Sequence, residues 1–287
     1  MIVRRAFGTA AILLGGVLVT GCASGRTTDA VGHASASRQP RQVSLGRTVE
    51  GADSRLAAAL LVEAALPTAD SHLRVANEYR RLGVLDAAFD RLTQAVRKAP
   101  QLASAHEAIA RAWRDWNQPE RALGAAYRAA FLARDSAAAQ NTLGTVLDAL
   151  GQLGDARDAY SRAIFIDPTA AWALNNMCYV EFRLGMLRDA ALQCDAALRL
   201  QPDLAAAHNN RALVHAASGD LVGARTEFLA VGDLAAGHYN VGIVLLAAGD
   251  TRRAAEAFEE AIKARPTFTA AKTRAHAARL RLMTGSD

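Results

Sequence analysis

The feature that most constrains the fold of this chain is an internal repeat with a period of 34 residues. Prolines stand at positions 100, 168 and 202; the first two are two periods apart and the last two are one period apart. Alignment on these prolines gives units that begin at Ala69, Ala103, Ala137, Ala171 and Ala205, followed by a sixth at Ala235 after only 30 residues. A fixed period of this length is typical of architectures in which each unit buries its apolar face by stacking on its neighbours.

Several positions of the unit keep one type of residue. The third unit has Leu143, Gly144, Leu147, Gly151, Ala156, Tyr160, Ala163 and Pro168; the first has Val75, Ala76, Tyr79, Gly83, Ala88, Leu92, Ala95 and Pro100; the sixth has Val241, Gly242, Leu245, Gly249, Ala254, Phe258, Ala261 and Pro266. The small residue at the eighth position would let two helices approach closely, and the following glycine would take a left-handed conformation where the first helix ends. Each unit therefore predicts two helices joined by a tight turn.

This pattern resembles the tetratricopeptide repeat (TPR) family. A chain that is rich in alanine and leucine, with only 6% aromatic residues, also favours helices over strands. The resemblance implies an all-α solenoid of about six helix-turn-helix repeats with a C-terminal capping helix. The predicted segments are 1–21 (signal peptide), 22–52 (tether), 53–68 (N-terminal helix), 69–102, 103–136, 137–170, 171–204, 205–234 and 235–268 (repeats 1 to 6), and 269–287 (capping helix and tail).

Two repeats depart from the pattern. The second has Asn117 in place of the turn glycine and Arg134 in place of the closing proline. The fifth is four residues short in its second helix, near Val231 to Leu234, which predicts a bend or a tightening of the superhelix there. At the C-terminal end, lysine and arginine side chains would give the capping helix a solvated outer face.

The first 22 residues predict export and a lipid anchor. A basic start, a short apolar run and a small-residue end form a secretory signal, and its last residues, "VTGC", resemble the lipobox of bacterial lipoproteins. In that family the cysteine, here Cys22, carries the lipid; the alternative is an ordinary cleaved signal peptide. Ala23 favours the outer membrane, so we expect the protein on its periplasmic face, attached to the membrane through Cys22. Residues 23–52 contain few apolar side chains and predict a flexible tether.

Charge and motifs argue against several classes of function. The net charge of +5 is mild, and no block of lysine and arginine with interleaved aromatics predicts nucleic-acid binding. The chain has no metalloprotease, nucleophile-elbow, phosphate-loop or zinc-type cysteine motif. Four histidines, His72, His106, His208 and His238, share the fourth position of their units, which is a packing position in the family. We therefore expect no metal, no cofactor, no small-molecule substrate and no catalysis.

Cys178 and Cys194 occupy the eighth and twenty-fourth positions of the fourth unit. They lie level on antiparallel helices and both face the interior of the hairpin. In an oxidising compartment they could form a disulfide. Alternatively, each is a buried small apolar residue, with the two helices at an ordinary spacing that holds the backbones farther apart than the Cα separation of about 5.5–6 Å that a disulfide prefers.

A protein or peptide segment is the expected ligand of the first helices. In the family, the second, fifth, sixth, ninth and twelfth positions of these helices line a groove. The predicted groove residues are Asn141, Trp172, Asn175, Asn176, Tyr179, Phe182, Asn209, Asn210, Tyr239 and Asn240. Amide side chains both donate to and accept from a peptide backbone, and aromatic side chains are frequent in binding hot spots. The alternative is that the asparagine pairs only tie adjacent hairpins together.

The resemblance favours a non-catalytic scaffold. Lipoproteins of this build resemble the TadD type of tight-adherence pili and the pilotins of type IV pili, which implies a role in assembling a pilus or secretion complex. An adaptor of the NlpI type, which brings proteases to peptidoglycan enzymes, is an alternative, and a structural spacer of the envelope is another. The sequence does not separate these functions.

Overall fold

The computed structural model describes residues 53–284. Its helices are α1 (Ser54–Ala65), α2 (Ala69–Arg81), α3 (Leu85–Lys98), α4 (Ala103–Asp115), α5 (Pro119–Leu132), α6 (Ala137–Ala149), α7 (Leu153–Ile166), α8 (Ala171–Arg183), α9 (Leu187–Leu200), α10 (Ala205–Ala217), α11 (Leu221–Ala230), α12 (Leu234–Ala247), α13 (Thr251–Ala264) and α14 (Thr269–Thr284). No strand occurs in residues 53–284. The predicted all-α fold is confirmed.

The chain divides into two compact units at residue 168. The N-terminal unit contains α1 to α7, and the C-terminal unit contains α8 to α14 among its described residues. Five first helices begin at 34-residue intervals, from Ala69 to Ala205. The signal peptide, Cys22 and the tether lie outside the described residues and stay predictions.

Within each hairpin, the eighth and twenty-fourth positions face each other. A Cβ atom added to Gly144 would lie 2.6 Å from the ring of Tyr160, and one added to Gly242 would lie 2.5 Å from the ring of Phe258. Both rings are buried. Glycine is required because a large ring from the second helix occupies the space of its side chain. This contact forms the apolar centre of the hairpin.

The turn between the two helices uses a left-handed residue. Gly151 has φ 75°, and glycines take comparable angles in the other turns, but the second repeat places Asn117 there at φ 57°. Asparagine tolerates this region better than other residues that carry a Cβ. The departure found in the sequence therefore preserves the geometry of the turn.

The shortened fifth repeat still closes its hairpin. Its second helix, α11, has 10 residues, against 14 in the second helices of the other repeats. Gly232 turns the chain at φ 83°, and Asp233 then caps α12 by accepting the backbone N–H of Ala236. Arg265 donates to the other oxygen of Asp233 at 2.6 Å. Burial alone would raise the pKa of Asp233, but these hydrogen bonds outweigh it and lower the pKa.

Candidate protein-interaction site

The first helix of the fourth repeat, α8, carries an aromatic surface. Trp172 is 39% exposed, and Tyr179 and Phe182 are half-buried. The ring centroids of Tyr179 and Phe182 are 6.4 Å apart at an interplanar angle of 28°, and the guanidinium of Arg183 lies 5.7 Å from the Tyr179 ring centroid. Tyr179 and Phe182 also pack against the core of the C-terminal unit. The core therefore fixes one side of these rings and leaves part of each accessible to a partner.

The asparagine pairs brace two neighbouring hairpins. The Asn210 side-chain N–H donates to the Asn175 side-chain oxygen at 2.9 Å, and both residues are buried, at 6% and 7% exposure. The amide of Asn175 in turn donates to Asn176 at 3.3 Å. The groove assignment of Asn175 and Asn210 is therefore corrected: their hydrogen bonds are made inside the chain, because a buried amide must find partners there. Their neighbours Asn176 and Asn209 are half-buried.

Tyr239 and Asn240 are also buried, at 2% and 3% exposure. The ring of Tyr239 lies 5.0 Å from that of Phe268 and 5.6 Å from that of Phe258. Its predicted place in the groove is corrected, because the last hairpin gives this large ring an apolar pocket. Asn240 likewise offers a partner little surface, because its side chain is buried. These two residues belong to the interior of the C-terminal unit.

Four predicted groove residues with accessible surface thus lie on α8, one lies on α10, and one lies in the N-terminal unit. Those on α8 are Trp172, Asn176, Tyr179 and Phe182. Asn209 is half-buried on α10, and Asn141 is half-buried on α6. Their contact with a partner stays a prediction.

The equivalent face of the N-terminal unit is a charged network. Arg111 donates to Glu107 and to the Thr142 hydroxyl, 3.2 Å away, and that hydroxyl donates to Glu107 at 3.0 Å. Arg114 donates to Thr145 and to Asp115, and Arg80 reaches the same carboxylate at 3.0 Å. Burial lowers the pKa of Arg111 despite the nearby carboxylate of Glu107. These charges are satisfied within the unit.

A second, partly buried network joins α9, α10 and α11. Arg211 donates to Glu227 at 2.7 Å and to Asp195 at 3.0 Å. His208 contacts the other oxygen of Glu227 at 2.7 Å, and its second ring nitrogen lies 2.9 Å from the carbonyl oxygen of Pro202. Burial alone would raise the pKa of Glu227, but the bonds from Arg211 and His208 lower it. The sequence interpretation missed this network, because the repeat frame does not show which charged positions pair.

Cys178 and Cys194 form a disulfide that joins α8 to α9. Their Cα atoms are 5.3 Å apart, and neither residue is exposed. The bridge occupies the place where the neighbouring hairpins pack a small residue against a large ring. In other hairpins, glycine or alanine at the eighth position permits the close approach of the two helices. In the fourth hairpin, the close approach allows a covalent link between α8, which carries Trp172, and α9.

Sequence profiles of the tetratricopeptide repeat match residues 117–171, 179–238 and 235–268. Together these segments cover just over half of the chain. The chain belongs to the tetratricopeptide repeat family. TPR proteins act as scaffolds for protein–protein interaction, in general without catalytic activity of their own.

Solved TPR structures share the fold at low sequence identity. The structure of pilF from Pseudomonas aeruginosa has a TM-score of 0.58 and 17% identity, over 71% of this chain and 96% of that one. PilW, described as a widely conserved type IV pilus biogenesis factor, has a TM-score of 0.62 and 19% identity, over 69% and 94%. A chain of the APC/C hetero-tetramer Cut9–Hcn1 has a TM-score of 0.67 and 18% identity over 78% of this chain.

This chain spans only 45% of that Cut9–Hcn1 chain. No curated protein sequence is significantly similar to the TPR chain of this structure. Within residues 53–284, no helix is both long enough and apolar enough to span a bilayer. The likeness to known structures therefore establishes the fold, and the role of the protein has to be argued from its own surfaces.

Proposed function

We propose that this TPR protein is a non-catalytic scaffold, anchored by a lipid on Cys22 to the periplasmic face of the bacterial outer membrane, that acts in assembly of a pilus or secretion complex. The aromatic surface of α8 carries the proposal. Tyr179 and Phe182 combine apolar area with a fixed orientation, and Trp172 adds an exposed ring on the same helix. Rigid aromatic side chains of this kind supply much of the binding energy of protein interfaces.

A partner segment would lie along α8 and reach α10. Asn176 and Asn209, both half-buried, would pair with the backbone of the segment, while the rings would bind its apolar side chains. The disulfide between α8 and α9 supports this use, because it holds the binding helix against its partner helix. The role in pilus assembly is supported by the likeness of fold to pilF and PilW and by the resemblance of the sequence that ends at Cys22 to a lipobox.

Removal of the rings tests the binding surface. Trp172→Ala combined with Tyr179→Ala should weaken capture of the partner about tenfold or more, because each truncated hot-spot ring typically costs over 1 kcal/mol. Capture is measured by crosslinking in intact cells and identification of the trapped chain. Phe165→Ala is the matched control, since that ring is 87% exposed but lies on α7. Equal capture by the double variant and the parent would contradict the proposal.

The trapped chain also decides between the roles. A pilus or secretin subunit supports assembly, whereas a protease or a peptidoglycan hydrolase would assign the NlpI type of adaptor instead. The anchor has a separate test. Labelled palmitate should enter the parent protein and not Cys22→Ser, and only the parent should fractionate with the outer membrane. Unlabelled parent in the soluble periplasmic fraction would show an ordinary cleaved signal peptide.

A further inference from the structure

The N-terminal helix α1 exposes an apolar face that nothing in residues 53–284 covers. Its residues Ala58, Leu61, Val62 and Ala65 recur at spacings of three and four, and Leu66, the C-cap of the helix, extends this face. Leu61 is 72% exposed and Leu66 is 63% exposed. The opposite face is buried: Leu56 is fully covered, and Glu63 contacts the ring of His72 on α2 at 2.6 Å. A surface helix normally turns polar side chains outward, so this arrangement indicates a second contact.

The repeat frame explains why the face is open. α1 leads through Pro67 into the first helix of repeat 1, as the second helices of repeats 1, 3 and 4 lead through Pro100, Pro168 and Pro202 into the next unit. It therefore takes the place of a second helix, and residues 53–284 contain no first helix to cover it.

The other end of the described chain is finished differently. The last helix, α14, buries Ala271, Ala275 and Ala278 against α13 and, before its last turn, exposes polar side chains such as Lys272 and His276. A polar outer face is what solubility requires of a terminal repeat. Between Arg55 and Leu66, α1 has one charged residue, Glu63, which is buried. α14 exposes large apolar side chains near its end, at Leu280, Leu282 and Met283, whereas the exposed apolar side chains of α1 run from Ala58 to Leu66.

The position of α1 in the chain identifies what covers it. Only residues 23–52 separate it from Cys22, and the tether predicted for them from the sequence would have a mean span of roughly 30 Å. A 12-residue helix is roughly 18 Å long, so its face offers far less than the ~800 Å² per partner of a stable dimer. A weak apolar contact is sufficient at a bilayer, because the anchor keeps the helix at a high effective concentration there.

We propose that α1 lies in the interface of the membrane that carries the lipid of Cys22, with Leu61, Val62 and Leu66 among the lipid headgroups and upper acyl chains. This inference rests on the proposed lipid anchor. The contact would orient the N-terminal unit on the membrane, which a flexible tether alone cannot do. Interfacial helices of peripheral proteins bind through such an apolar face.

Photo-crosslinking tests the contact directly. Because Cys178 and Cys194 are bonded to each other, the chain from Cys22 onward, produced without its lipid, can be coupled through the Cys22 thiol to a maleimide lipid in vesicles of phosphatidylethanolamine and phosphatidylglycerol. A benzophenone side chain at position 61 should form adducts with lipid roughly tenfold more often than one at Leu192, which is 66% exposed on α9. Equal yields, or adducts between two protein copies, would overturn the proposal.

A pair of matched variants provides the second measurement. On vesicles, the α1 amides of the coupled parent should be protected from hydrogen exchange relative to those of the uncoupled chain. Leu61→Asp with Leu66→Asp should remove this protection, while Leu192→Asp with Val222→Asp should leave it unchanged. Unaltered protection in the α1 variant would also overturn the proposal. Because the lipid is attached chemically in both experiments, a negative result in either would overturn the membrane contact of α1 without contradicting the proposed natural lipid anchor. Absence of labelled lipid on Cys22 in cells would overturn the anchor itself.

Discussion

The same contact between neighbouring repeats is built from charges in one unit and from amides in the other. In the N-terminal unit, the hydroxyl of Thr142 donates to Glu107 at 3.0 Å. In the C-terminal unit, Asn210 donates to Asn175 at 2.9 Å. Both bonds join the sixth position of one repeat to the fifth position of the repeat before it. The fold therefore determines which positions meet, and the side chains determine how the contact responds to its surroundings.

The two contacts differ in burial and in what reinforces them. Asn175 and Asn210 are buried, and α8 is tied to α9 by the disulfide. Glu107 is half-buried, and its partner Arg111 carries a side chain that is 36% exposed. We expect the amide contact to depend on packing and on the covalent bond, and the charged contact to depend on salt.

Loss of the disulfide should have the largest effect. Replacing Cys178 and Cys194 by alanine should lower the free energy of unfolding of the C-terminal unit by about 2–4 kcal/mol, because the unfolded chain regains the freedom of the closed loop. Urea denaturation measures the change, and Cys22→Ala serves as the control. A C-terminal unit that keeps its stability without the bridge would show that packing alone supports the amide contact.

Removal of the amide donor should have the next largest effect. Asn210→Ala leaves the buried oxygen of Asn175 without its donor and should cost about 1–3 kcal/mol. Faster hydrogen exchange in α8 and α10 would report it. The adjacent Asn209→Ala is the control and should change exchange little, because Asn209 is half-buried. Similar changes in hydrogen exchange for the two substitutions would show that the hydrogen bond between Asn210 and Asn175 is not what stabilises the contact.

The charged contact should be weaker and sensitive to salt. Glu107→Gln should cost about 1 kcal/mol or less, since its ion pair with Arg111 is partly exposed and is screened by ions. The cost should shrink as sodium chloride is raised, whereas the cost of Asn210→Ala should stay constant. Denaturation at low and high salt compares the two, and equal salt dependence would remove the distinction drawn between the units.

Acid should act on the C-terminal unit through Glu227. The pKa of Glu227 is lowered from its ordinary value of 4.5, so its contribution to stability is present above pH 4.5 and is lost as the pH falls through the lower pKa of the folded state. Glu227→Gln should reduce the loss of unfolding free energy over this pH range by about 1 kcal/mol or less. Melting temperatures between pH 3 and pH 6 would show it; parallel curves for parent and variant would count against the pairing with Arg211 and His208.

The hairpins could be predicted because their determinants are local in the chain. Gly144 and Tyr160 are close in sequence and recur in register in the sixth repeat as Gly242 and Phe258. The candidate site was harder to predict. Position in the repeat placed Tyr239 on the binding face, but Phe258 and Phe268 bury its ring. The open face of α1 had a sequence signal in the spacing of Leu61, Val62 and Leu66, although only the structure shows that nothing in residues 53–284 covers these side chains.

The sequence by itself determined the period, the helices and the turns, because helix propensity, turn chemistry and apolar spacing act over short stretches of chain. It also placed Asn175 and Asn210 at adjacent repeat positions and Cys178 opposite Cys194. Tertiary structure decided what these residues do. Two asparagines separated by 35 residues pair only when their hairpins stack, and two cysteines bond only when small side chains bring the helix backbones within reach. Burial depends on what packs from distant parts of the chain, and a position in a repeat does not specify it.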